Sequence, residues 1–154
     1  LINGIVKSMG AVAAVYAVNP QPSLVFITIL FGWIFFWEIG GQNIPNDWTD
    51  IEADRRFKAR TIPVQLGLVR AGLLALGCLV AAFFFTFLLA WVSPLTFGTL
   101  HLLALAGLGV WLLLLPALRL VESNNRQLAM DLFNKASHFP LSVFGVVLVR
   151  LLIF

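Results

Sequence analysis

The stretch Asn46-Asp47-Trp48-Thr49-Asp50-Ile51-Glu52-Ala53-Asp54-Arg55-Arg56 decides how this chain is read. It holds four of the seven acidic residues, followed at once by two bases, and the chain on either side is almost purely apolar. Overall 60% of the residues are hydrophobic and only 11% are charged, where a water-soluble domain carries about a quarter charged residues. A soluble fold of 154 residues cannot hide that much apolar surface, so the bilayer has to be the solvent. A membrane protein that concentrates carboxylates in one short segment has a use for them.

Outward from that segment, a spanning helix needs roughly 20 mostly apolar residues. Five stretches meet or approach this: Leu1 to Val18, Ser23 to Asn43, Val69 to Val92, Phe97 to Leu118 and Ser137 to Phe154. The expected fold is all-α, a polytopic membrane helical bundle of about five spans forming a single transmembrane domain over 1–154. The first span is short and begins without an initiator Met, which reads as a piece of a longer protein. Two polar connections remain, Ile44 to Leu68 and Arg119 to Ala136. Alternating the spans puts both on one side, together with Lys7 and Arg70. That side then carries nine of the ten Lys and Arg residues, with Arg150 alone toward the other. The positive-inside rule makes the side with the 44–68 loop cytoplasmic. The net charge of +3 is too small to suggest nucleic acid. The single Cys78 cannot form an intrachain disulfide and reads as a buried membrane thiol.

The acidic spacing has chemical content. If the segment is one helix, Asp50 and Asp54 lie one turn apart on one face, and Asp47 shares it. Glu52 points the other way. Three carboxylates on a stripe repel one another unless a cation sits among them. Mg²⁺ suits such a site, because it is held by one or two carboxylates plus substrate phosphates. Arg55, Arg56, Lys58 and Arg60 follow closely and supply positive charge for phosphate oxygens. On charge alone the segment would also fit a solvated loop that sets topology, since basic loops occur in any membrane protein. Two details argue for a site: the stripe spacing, and the polar line Glu38, Gln42 and Asn43 leading into the loop. An ionisable residue within a span is a functional-site hypothesis by default. The aromatic clusters at Phe31 to Trp37 and Phe83 to Phe87 read first as lipid-facing bulk and interfacial anchors. The alternative is an apolar wall for a hydrocarbon substrate, or π faces for a cation.

With its continuation Arg60-Thr61-Ile62-Pro63-Val64-Gln65-Leu66-Gly67, the acidic segment resembles the second aspartate-rich motif of the UbiA superfamily of intramembrane prenyltransferases. There a D-x-x-x-D pair precedes a basic residue, Thr or Ser, and a short apolar run ending in Gly. Leu132-Phe133-Asn134-Lys135-Ala136-Ser137 is similar to the family's approach to its last helix. The resemblance covers the whole chain but only the C-terminal half of a nine-helix fold, with the first aspartate motif expected upstream of Leu1. It implies that Asp50 and Asp54 are the catalytic metal-binding pair, with Asp47 an additional metal ligand. Arg60 is similar to the family's usual Lys or Arg at a diphosphate contact, and Lys7 to its basic residue ahead of helix five. Asn43, Asn46, Arg56 and Lys58 are further candidate substrate contacts by their polarity, charge and place beside the motif. Position 58 is often Gly in relatives and is Lys here.

The implied activity is Mg²⁺-dependent transfer of a prenyl group from a polyprenyl diphosphate to an acceptor, often aromatic, in the synthesis of quinones or related isoprenoid lipids. On this resemblance the fragment alone is expected to be inactive. Two other readings compete. A CDP-alcohol phosphotransferase would need a D-G-x-x-A-R signature that Asp47 to Asp54 lacks. A transporter or channel fragment with a cation-binding loop would place acids in several spans, whereas only Glu38 is intramembrane. His101 and His138 are too isolated to propose as metal ligands.

Overall fold

A computed structural model describes residues 2–123 and 125–153, and within these the chain is helical with no strands. Helix α1 covers Ile2–Val18, α2 Leu24–Thr49, α3 Ile51–Arg56, α4 Ile62–Leu66, α5 Leu68–Val92, α6 Thr99–Ser123 and α7 Arg126–Ile153. Four of these, α2, α5, α6 and α7, are long and apolar enough to cross a membrane, and α1 is a shorter apolar helix of 17 residues. The five expected spans therefore appear as four full-length helices and one short one.

The helices outrun the boundaries that polarity suggested. At 1.5 Å per residue the 26-residue α2 is about 39 Å long, against a hydrocarbon thickness of roughly 30 Å. It is therefore longer than that layer is thick. Likewise α6 continues to Ser123 and α7 starts at Arg126, so most of the expected 119–136 connection is helical. The 44–68 connection consists of the end of α2 and the short helices α3 and α4.

Two of the long helices widen into π turns just ahead of a proline, at Glu38–Asn43 in α2 before Pro45 and at Val110–Leu114 in α6 before Pro116. Proline has no N–H for the carbonyl four residues back, and a helix can absorb that loss by shifting to five-residue spacing. The Ile44 N–H accordingly donates to Ile39 O, and the Leu115 N–H to Val110 O. Gly41 O, the carbonyl that Pro45 cannot serve, instead accepts from Gln42 Nε2 at 3.0 Å. Pro140 inside α7 leaves Ala136 O in the same position, and the Trp37 indole donates to it at 2.8 Å. Side chains from α2 thus complete the backbone bonding of α2 and α7 at their prolines, as a bilayer interior requires.

The wide turn of α2 also sits at a close helix crossing. A Cβ on Gly40 would lie 2.7 Å from Ala75 O, and one on Gly41 would lie 2.8 Å from the Ala136 Cβ. Small residues there let α5 and α7 approach the α2 backbone. The core around the crossing contains Ile39, Ile44, Leu79, Leu113, Leu120, Leu132 and Phe139. The aromatics of α2 do not all face lipid as first expected. Trp33 is buried, donates to Thr86 Oγ1 at 2.9 Å and packs on Phe139. Phe36 packs on Phe85, whereas Phe84 is 62% exposed.

Candidate functional site

The polar end of α2 is held by an apolar anchor. Trp48 is buried, with its ring edge against Gly72 of α5, and Ile44, Pro45 and Thr49 are buried beside it. These inward residues force Asn46, Asp47 and Asp50 to the solvent side of the same turns; Asn46 and Asp50 are exposed and Asp47 is partly buried.

The three aspartates are not on one unbroken helix. Asp50 has φ −103° and ψ 9°, which ends α2 and starts α3. This bridge-region geometry is sparsely populated and is found at many active-site residues. The backbone still runs on without a gap, since the Asp50 N–H donates to Asn46 O and the Asp54 N–H to Asp50 O. The Asp50 carboxylate makes no capping bond to α3 and remains available. Among the described residues no three acidic, His or Cys side chains are gathered closely enough to hold a metal ion by themselves.

Asp47 and Asp54 nevertheless feel each other across the break. Asp47 lies past the apolar part of α2, and its carboxyl is raised to about 6, first by burial and then by the charge of Asp54, with a smaller contribution from Asp50. A cation placed among these carboxylates would relieve that repulsion. Asp54 is itself oriented: the Thr61 hydroxyl donates to its Oδ2 at 2.9 Å.

The turn between Asp54 and Thr61 makes this contact possible. The Ala59 N–H donates to Asp54 O at 2.8 Å and the Lys58 N–H to Arg55 O, with Lys58 at φ +54°. This is a Schellman-type helix end with a left-handed residue at the position glycine normally fills. Two other features bring the chain back to the membrane: Pro63 in the first turn of α4 and Gly67 at φ +79°, ψ 162° between α4 and α5. That last conformation is essentially open only to glycine, which gives a physical reason for the glycine that ends the motif.

The basic residues surround this turn. Arg55, Arg56, Lys58 and Arg60 are all exposed, and among the described residues none is in an ion pair with an aspartate of the loop. Lys7 is differently placed: its ammonium contacts both oxygens of the buried Glu38 at 2.8 Å. Asn43, one turn before Asp47, has its Nδ2 buried without a hydrogen-bond partner. A buried amide left in that state is an expensive feature unless something else supplies an acceptor. Gln42, beside it, is spent on structure, since it bonds Gly41 O and accepts from the Ser137 hydroxyl at 3.2 Å. Reading the sequence gave Thr61 no role of its own and did not assign Trp48 as the anchor. A hydroxyl seven residues after Asp54 could signal the first contact, but nothing local signals the second.

The arrangement offers hard carboxylate oxygens, an orphaned amide donor and unpaired cations at the polar end of an apolar bundle. Such donors suit Mg²⁺ completed by phosphate oxygens, which needs only one or two protein carboxylates. Residues 1–144 match the family model described as the UbiA prenyltransferase family. No curated protein and no solved structure matches the chain. With nearly the whole length covered by that match and the motif residues in place, the chain belongs to the UbiA prenyltransferase family and is an integral membrane protein of the transferase class.

Proposed function

We propose that the protein takes part in Mg²⁺-dependent transfer of a prenyl group from a polyprenyl diphosphate to a small, aromatic acceptor, in the synthesis of quinones or related isoprenoid lipids. The observation that carries this reading is the Asp54 carboxylate, oriented by Thr61 and electrostatically coupled to Asp47 beyond the apolar end of α2. Asp50 and Asp54 are proposed as the metal-binding catalytic pair, with Asp47 as a further ligand. Mg²⁺ held by these aspartates would supply positive charge to a departing diphosphate.

The chain's own residues would do the rest. Arg56, Lys58 and Arg60 would bind diphosphate oxygens as exposed cations with no carboxylate already claiming them. Asn46 and the buried amide of Asn43 would add neutral donors, and Lys7, which shares its charge with Glu38, a further cation. The hydrocarbon tail would lie among the apolar helices, where water is excluded and aromatic faces can shelter an allylic cation. The distribution of basic residues supports a cytoplasmic loop.

The reading is tested with Asp50→Asn and Asp54→Asn in the complete enzyme, measuring prenyl transfer in membranes supplied with Mg²⁺. Each variant is expected to abolish product formation. Near-normal transfer by both would remove the metal assignment.

A further inference from the structure

At the end of the bundle opposite the aspartates stands a lone cation in an apolar setting. Arg150, near the end of α7, donates through Nε to Thr96 O and through Nη2 to Thr96 Oγ1, the latter at 2.9 Å. Thr96 lies in the connection between α5 and α6. These bonds fix the guanidinium in place and leave three of its N–H donors unused. No described Asp or Glu is available to it. The acids are at 38 to 54, 122 and 131, all in the halves of their helices toward the aspartate end.

Arg150 lines a cavity of about 950 Å³ between the first turns of α6 and the last turns of α7. Its walls include Leu100, Ala104, Leu108, Val146 and Val149. The α6 N-terminus opens at the same end, and its N-cap residue Gly98 has no side chain to satisfy the first N–H groups. The partial positive charge of that terminus adds to that of Arg150. From Gly98 to Leu108 the wall rises about 15 Å, which is half of a roughly 30 Å hydrocarbon layer. The groove therefore has the depth of one leaflet.

We propose that this groove holds an acyl chain of an anionic phospholipid from the leaflet opposite the aspartate loop, with the lipid phosphate on Arg150. The occupant must be apolar along its length to match the walls. It must be anionic at one end to match an arginine that no acid neutralises. Free phosphate would satisfy only the second requirement.

The test is lipid retention by the purified protein in nanodiscs of phosphatidylcholine doped with phosphatidylglycerol, read by native mass spectrometry. The wild type is expected to retain phosphatidylglycerol over phosphatidylcholine by roughly fivefold, the ratio typical of one basic residue near an anionic surface. Arg150→Gln should lose that preference. Ala104→Trp, which leaves the Arg150–Thr96 bonds intact and fills the groove, should lose retention of both lipids. Arg119→Gln, at the other end of α6, should behave as wild type, and millimolar inorganic phosphate should displace nothing. Equal retention of the two lipids by wild type, unchanged retention in Ala104→Trp, or displacement by inorganic phosphate would each overturn the proposal.

Discussion

The Thr61 hydroxyl donates to Asp54 Oδ2 at 2.9 Å, joining the end of the aspartate motif to the start of α4. A hydrogen bond to a charged group is worth about 1.5–3 kcal/mol. If that bond aims the carboxylate at the metal, Thr61→Val should lower prenyl transfer by about ten- to a hundredfold, and Thr61→Ser should stay close to wild type. A Mg²⁺ titration of transfer by both variants checks this. Equal losses in Thr61→Val and Thr61→Ser would mean that the hydroxyl is not the cause.

Lys58 occupies a left-handed backbone position, φ +54°, that a side chain makes costly. The penalty for a non-glycine residue there is about 1 kcal/mol. Lys58→Gly should therefore raise the stability of the protein by about that amount, while Lys58→Ala, which keeps a Cβ, should not. Denaturant unfolding of the two variants separates backbone strain from loss of the ammonium, which both share.

How far these features could be read from the sequence depends on whether they are local. The apolar runs define the spans, and the charges of 44–68 mark the site, because burial in lipid excludes charge wherever the chain crosses. The break at Asp50 is not legible, since neither Gly nor Pro stands there and the i, i+4 spacing of Asp50 and Asp54 suits a continuous helix equally well. The departure from Gly at position 58 is visible as a residue, but its left-handed φ follows from the bonds Ala59 and Lys58 make to Asp54 and Arg55. The polarity of 119–136 reads as a loop because the polar ends of α6 and α7 use the same residue types as a solvated loop. Pro45 and Pro140 announce that Gly41 O and Ala136 O lose a donor. That Gln42 and Trp37 replace it depends on tertiary packing.

The Trp37 contact allows a rescue experiment. Trp37→Phe removes the donor to Ala136 O and leaves a carbonyl unpaired, which costs about 1–3 kcal/mol. Pro140→Ala restores a backbone N–H that can reach Ala136 O. The loss from Trp37→Phe should then be smaller in a Pro140→Ala background than in wild type, and a double-mutant cycle on unfolding free energy measures the difference. Additive effects would show that Trp37 acts only through its ring.

Glu38 is buried to 1% exposure at the π turn of α2, and Lys7 of α1 contacts both of its oxygens. Removing one partner of a buried pair leaves a charge without compensation, a loss of about 3–5 kcal/mol when both ends are buried. The Lys7 side chain is 54% exposed, so water can partly replace it, and the expected loss for Lys7→Met is smaller, about 1–3 kcal/mol. Glu38→Gln added to Lys7→Met removes the stranded charge and should recover most of that stability. Unfolding of the single and double variants gives the answer. A double variant no more stable than Lys7→Met alone would show that Lys7 holds α1 through its apolar stem and not through its charge.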